Sequence, residues 1–188
     1  METRDQKGLT EQEFLQAYAQ KSYPRPYLTA DLVIFSVTDG QILLVKRKGH
    51  PFLGCWAIPG GFAKADETIE ETAARELREE TGILCQADRL TPVGIYSRPG
   101  RDPRGWVVSQ AYMACVDKNA VTLQAGDDAA EAAWFRLTLD REKQLWLENG
   151  TVRLSLDGSC AQLAFDHSQI LLDAIRLYHQ KRKEYIYA

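Results

Sequence analysis

The chain has 188 residues, 45% hydrophobic and 26% charged, an ordinary composition with enough length to bury one core. Its formal net charge of −3 excludes a whole-chain electrostatic case for nucleic acid. No apolar run approaches the ~20 residues of a membrane span, and the polar start METRDQKGLTEQ lacks the apolar stretch of a signal peptide.

Residues 10–20, TEQEFLQAYAQ, read as a short amphipathic helix with Phe14, Leu15 and Tyr18 near one side, a face expected to pack. The prolines of SYPRPY make the next stretch a connector. Leu28 to Val37 is a strand, Asp39-Gly40 a hairpin turn, and Gln41 to Lys46 the partner strand. Lys46, Arg47 and Lys48 end that strand before a glycine- and proline-containing loop. Trp56 to Pro59 is a short strand that delivers Gly60 and Gly61, where the backbone can be approached closely.

The stretch GGFAKADETIEETAARELREETGI, Gly60 to Ile83, organises the rest. Thr68 with Glu71 three residues on has capping-box spacing, and Gly82 stands where a helix would stop, so a helix is expected between them. At ~100° per residue, Glu76, Glu79 and Glu80 share one arc while Ala73 and Leu77 point to a core. Like charges so spaced repel, so something positive should offset them. Hard oxygen ligands suit Mg²⁺ or Mn²⁺; the alternative is a solvated acidic face with Arg75 and Arg78 as neighbours.

Beyond the helix, Ile83 to Ser97 holds strand-like runs broken by Asp88 and Pro92, and Arg98 to Gly105 is a loop leading into the strand Trp106 to Val116. Residues 125–131, AGDDAAE, form an acidic loop before a short strand Ala133-Trp134-Phe135. Leu139 to Glu148 reads as a helix, Thr151 to Phe165 as a hairpin turning at Asp157-Gly158, and Asp166 to Lys183 as a terminal helix with Ile170, Leu171, Ala174, Ile175 and Tyr178 at helical spacing. Interleaved elements with frequent hairpins predict an α/β fold with a mixed sheet flanked by helices. Residues 1–188 are expected to form a single domain, with 1–27 as helix and connector and 139–188 as a C-terminal extension. Cys55, Cys85, Cys115 and Cys160 show no C-x-x-C spacing; Cys85 and Cys115 fall in strand-like segments and are expected to be buried thiols, which points to the cytoplasm.

Gly61, Glu67, Arg75, Glu76, Leu77, Glu79, Glu80, Gly82 and Ile83 stand at the spacing of the Nudix box with no departure, nine specified positions over 23 residues. The sequence therefore resembles the Nudix hydrolases. The resemblance implies an α/β/α sandwich and hydrolysis of a nucleoside diphosphate linked to another group. It also implies a divalent metal, Mg²⁺ or Mn²⁺, held by Glu76, Glu79, Glu80 and the Gly60 carbonyl, and bracing roles for Arg75 and Glu67. The run S-R-P-G-R-D-P-R-G, the leading Y-P-R-P-Y-x-T-A-D and the trailing L-A-F-D-H-x-x-I-L-x-D-A-I are similar to the ADP-ribose-hydrolysing branch, which also includes regulators of NAD metabolism.

Within that branch Arg98, Arg101 and Arg104 are candidates to clamp a diphosphate with their planar forks, or else an exposed hairpin surface; Arg101, flanked by Gly100 and Pro103, is the favoured clamp. Lys46 and Arg47 either meet the diphosphate or are solvated. Asp127, Asp128 and Glu131 stand near a late carboxylate of related enzymes, or form an acidic turn; Glu79 and the carboxylates of this segment are candidates for a general base that the sequence does not determine. Trp56, Tyr96 and Trp106 either stack on adenine or fill the core. No role falls to His50, His167 or His179. The expected activity is Mg²⁺-dependent cleavage of ADP-ribose to AMP and a sugar phosphate. The alternatives are an ADP-ribose-sensing regulator, whose winged-helix domain is not expected in the single helix that ends this chain, and a nucleoside triphosphate-cleaning enzyme. Expected partners are a small nucleotide and a second copy of the chain, with no membrane and no nucleic acid.

Overall fold

The computed structural model describes residues 3–121 and 129–187. Helix α1 spans Glu11–Ala19 and is followed by strands β1, Tyr27–Ser36, and β2, Ile42–Arg47. Two short strands come next, β3 at Trp56–Ala57 and β4 at Gly60–Phe62, then helix α2 at Ile69–Thr81. Strands β5, Thr91–Tyr96, and β6, Val107–Val116, precede β7, Ala129–Leu139, β8, Leu145–Asn149, and β9, Val152–Ser155. Helix α3, His167–Tyr187, closes the chain.

The strands lie in the order β5-β6-β1-β2-β7-β8-β9, with β3 added to β2 and β4 to β1. The β1–β6 ladder is parallel, from Tyr27 opposite Val107 to Ser36 opposite Val116; the other ladders are antiparallel. The sheet is therefore mixed, as expected.

Side-chain alternation along β1 builds two cores, because successive residues of a strand face opposite sides. Val33 and Phe35 join Ile42, Leu44 and Met113 beneath Ile170, Leu171, Ala174, Ile175 and Tyr178 of α3. Leu32 and Ile34 join Leu43, Tyr112 and Ala114 beneath Ala73 and Leu77 of α2. One helix on each face gives the α/β/α sandwich. Phe35 and Tyr178 stack with ring centroids 4.3 Å apart, which ties the C-terminal helix to the central strand.

One departure from regular pairing makes room for the site. Strands β1 and β2 pair only at their turn end, where Phe35 meets Ile42. Beyond it they part, and β4 takes the free edge of β1, with Thr29, Ala30 and Asp31 opposite Phe62, Gly61 and Gly60. The glycine pair is thus held in the split between the two strands.

Several local expectations are corrected. Residues 139–148 are not helical: Asp140 folds the chain instead, its Oδ1 accepting from the amides of Glu142 and Gln144 and its Oδ2 from the indole of Trp146. The chain returns as β8, paired with both β7 and β9. The hairpin turn therefore falls at Gly150, and Asp157-Gly158 belongs to a later loop that brings Ala164 to bond Trp56. The strand around Trp134 is longer than expected, eleven residues. Helix α1 forms with the capping box of Thr10 and Glu13, yet it buries no residue, and Phe14, Leu15 and Tyr18 remain exposed. Cys115 is an exposed residue of β6, and Cys85, partly buried, lies in no strand.

Candidate active site

Helix α2 begins and ends as its sequence dictates. Thr68 accepts from the Glu71 amide, Glu71 reaches back to the Thr68 amide, and Gly82 closes the helix in the left-handed conformation, φ 72°. Ala73 and Leu77 are fully buried against the sheet, so the next positions on the helix turn toward the glycine pair.

Arg75 supplies the positive charge that the carboxylate arc requires. Its Nε donates to Glu67 at 2.8 Å, its Nη1 to Glu76 at 2.6 Å and to Glu79 at 3.1 Å, and its Nη2 to the Phe62 carbonyl at 3.1 Å. One guanidinium thereby staples the loop of the box to its helix. The hydrogen bond from Arg75 lowers the Glu67 carboxyl to about 2. Burial raises the Glu76 carboxyl, with Arg75 pulling the other way.

Glu76 is 8% exposed and its carboxylate lies directly against Gly61, where any Cβ would collide with it. Gly60 is as crowded from the other side: a Cβ there would sit 2.8 Å from Asp31 Oδ1. The glycines thus admit two carboxylates that a larger residue would push away. Glu80, with Asp31 and the two glycines, lines a pocket of about 120 Å³ between the parted strands, its Oε2 buried, while Glu76 and Glu79 lie outside that lining. Glu79 is the outer member of the arc, its side chain 48% exposed.

Arg47, Arg101 and Arg104 also line this pocket, as do Asp31, Asp102, Phe165 and His167. Arg47 Nε donates to the Pro51 carbonyl, and its guanidinium lies 5.2 Å from the Phe165 ring. Arg104 is gripped by Asp102 at 3.0 and 2.7 Å and lies 4.9 Å from Phe62 and 5.5 Å from Phe165. Arg101, the favoured clamp, is buried in an ion pair with Asp166 at 2.7 Å. The β5–β6 loop is thus exposed except at Arg101 and Asp102, which are buried and anchor it.

The remaining candidates divide. Arg98 is exposed and outside the pocket lining, its carbonyl accepting the Arg101 amide in the turn. Glu131 lies on β7 opposite Lys46, whose ammonium it pairs with at 3.7 Å, and is also outside the lining. Asp127 and Asp128 lie outside the described residues. Trp56 is core, edge-on to Phe135; Tyr96 donates to Asp173; Trp106 is exposed. Sequence reasoning gave His167 no role, yet it is 4% exposed and its Nδ1 accepts the Ile58 amide at 3.1 Å. Burial lowers its pKa, so a neutral ring with its proton on Nε2 fits that bond. A second cavity of about 890 Å³ lies beside Val37, Cys85 and Cys115 and meets none of the three glutamates.

The donor set fits a hard divalent cation. Carboxylate oxygens on a glycine cradle are what Mg²⁺ takes, and it completes its shell with water and substrate phosphate rather than with a full protein cage. Among the described residues no three acidic, His or Cys groups converge closely enough to hold an ion as they stand, which matches the hold of Arg75 on Glu76 and Glu79.

A split mixed sheet, covered on each face by a helix and presenting a glycine pair to the carboxylates of one of them, is the Nudix arrangement. The NUDIX domain family matches residues 26–152, and the chain belongs to that family, whose hydrolases use a divalent metal ion. It is 40% identical over 154 residues to the ADP-ribose pyrophosphatase of Methanocaldococcus jannaschii, covering 82% of this chain and 76% of that one. It is 35% identical over 178 residues to the ADPR responsive transcriptional repressor NtrR of Acinetobacter baylyi, covering 93% of this chain but only 63% of the repressor. Among solved structures, the NUDIX domain of Shewanella oneidensis NrtR complexed with ADP ribose matches with a TM-score of 0.67 at 30% identity, over 90% of this chain and 99% of that one.

Proposed function

We propose that this chain hydrolyses the diphosphate of ADP-ribose, or of a close ADP-sugar, to AMP and a sugar phosphate. The observation that carries the reading is one pocket joining the box glycines and Glu80 to Arg47 and Arg104. Water adds to one phosphorus, the bridging P–O bond breaks, and the two phosphates leave with the water's proton released. Glu76, Glu79, Glu80 and the Gly60 carbonyl would hold the metal, Mg²⁺ or Mn²⁺. That ion supplies charge neutralisation at the phosphate oxygens and a lowered pKa for water.

The residues of the chain do the rest. Arg75 holds the box loop to α2 and keeps the carboxylates aligned. Arg47 and Arg104 offer planar forks for the diphosphate oxygens, and holding it in line supplies positioning. Phe165 between the two arginines and Phe62 beyond Arg104 give the pocket apolar walls. Arg98, Asp128 and Glu131 stay second-rank candidates for the outer part of the substrate. We read residues 1–188 as one domain acting in the cytoplasm, and the exposed apolar face of α1 as the place where a second copy would pack.

A second reading follows from the repressor relative: the same pocket would bind ADP-ribose without cutting it. A third would have it clean nucleoside triphosphates. A substrate panel with Mg²⁺, scored by product identity, separates them. We expect kcat/KM for ADP-ribose to exceed that for every nucleoside triphosphate by at least about tenfold; the reverse order overturns the specificity.

A further inference from the structure

We infer that Asp166 and His167, the turn that opens α3, are positioning residues that close a ring of contacts around the ADP-ribose site. The inference rests on the function proposed above. The ring begins at Ile58, whose amide donates to His167 Nδ1 at 3.1 Å. It passes through Pro59 to Gly60, which stands opposite Asp31 in the β1–β4 pairing. Asp31 accepts from the Ser109 hydroxyl and lies 3.6 Å from Arg101 Nη2. Arg101 then forks onto Asp166, Nε to Oδ2 at 3.0 Å and Nη2 to Oδ1 at 2.7 Å, and Asp166 adjoins His167. The circuit joins β1, the segment before the box, the β5–β6 loop and α3.

Three of its side chains are deeply buried, Asp31 at 8%, Arg101 at 6% and His167 at 4% exposed, and Asp166 is partly buried. A buried ion pair is a poor way to add stability, because desolvation offsets its attraction; its attested use is to specify one arrangement over others. Here the arrangement specified is that of the pocket wall. Arg101 spends Nε and Nη2 on Asp166, so it fixes the loop rather than gripping a phosphate. Arg104, three residues on, lines the same pocket, held by Asp102 with its side chain 41% exposed. The same turn of α3 also carries Phe165, set between Arg47 and Arg104. Asp166 thus places the loop arginine, and His167 places the backbone just ahead of Gly60.

The test is Asp166→Asn in the full chain, read in two ways. Steady-state kinetics on ADP-ribose should show KM raised at least about tenfold while kcat stays within about threefold. Hydrogen exchange of residues 98–105 should quicken at least about tenfold, with the amides of β1 and β6 unchanged. Asp166→Glu, which keeps the carboxylate, should recover part of the KM. A folded Asp166→Asn protein with a lower melting temperature but unchanged KM and loop exchange overturns the inference, since that is what a purely structural ion pair would give. Should Asp166→Asn not fold, Arg101→Lys, which keeps the charge but loses the fork, carries the same two measurements. If the wild type leaves ADP-ribose uncut, the proposed function fails, and the loop exchange alone decides the ring.

Discussion

Glu80 is the residue on which the proposed chemistry turns. It reaches the pocket from the last turn of α2, with its Oε2 buried beside the glycine pair. Glu80→Gln keeps shape and hydrogen bonding but deletes a charge from the proposed metal site. We expect kcat on ADP-ribose to fall at least ~10²-fold at saturating Mg²⁺, with the circular dichroism spectrum unchanged; near-normal turnover would remove Glu80 from the metal site. Glu80 and its box neighbours were legible in the sequence because their geometry is local: spacing on one helix fixes their common arc. His167 and Asp166 were not. Their bonds to Ile58 and Arg101 span 109 and 65 residues, and no periodicity reports such a meeting. Arg101 shows the same limit in reverse. Its flanking glycine and proline pointed to a fixed direction, but only the fold shows that the direction is inward, onto Asp166.

Helix α2 is the element whose sequence and structure agree in most detail: start, stop and buried face all follow from residues within it. Its N-terminus rests on the reciprocal bonds of Thr68 and Glu71. Thr68→Ala should cost about 1 kcal/mol, which for a domain of this size is a fall in melting temperature of roughly 2–4 °C. A melt unchanged within error would mean that packing of Ala73 and Leu77, not the cap, sets the helix start. The stretch 139–148 shows why other elements were misread. Leu145 and Leu147 alternate across Trp146 in a paired strand, but two leucines among charged residues fit a helix as well. What decides is the Asp140 side chain, which ties three groups further along the chain into a turn. Helix α1 carries the same lesson about faces: its amphipathic pattern is real, yet among the described residues none of its own is buried.

At the scale of the whole molecule, the layer order was legible and the site's enclosure was not. Interleaved strands and helices with frequent hairpins imply a mixed sheet with helices on both faces, and α2 and α3 do cover opposite faces of β1. The parting of β1 from β2, which opens the pocket, depends on β4 taking the inner edge of β1 and β3 that of β2. That is a competition between distant pairings, and it leaves no local signature. The proposed activity requires this pocket to cut ADP-ribose with a metal. The direct measurement incubates the purified chain with ADP-ribose in Mg²⁺ and, in parallel, in excess chelator, and identifies products by chromatography. AMP and a sugar phosphate should accumulate in Mg²⁺ and fall to background in chelator. ADP-ribose recovered intact in Mg²⁺, with calorimetry showing that it binds, would contradict the account and make the chain a sensor.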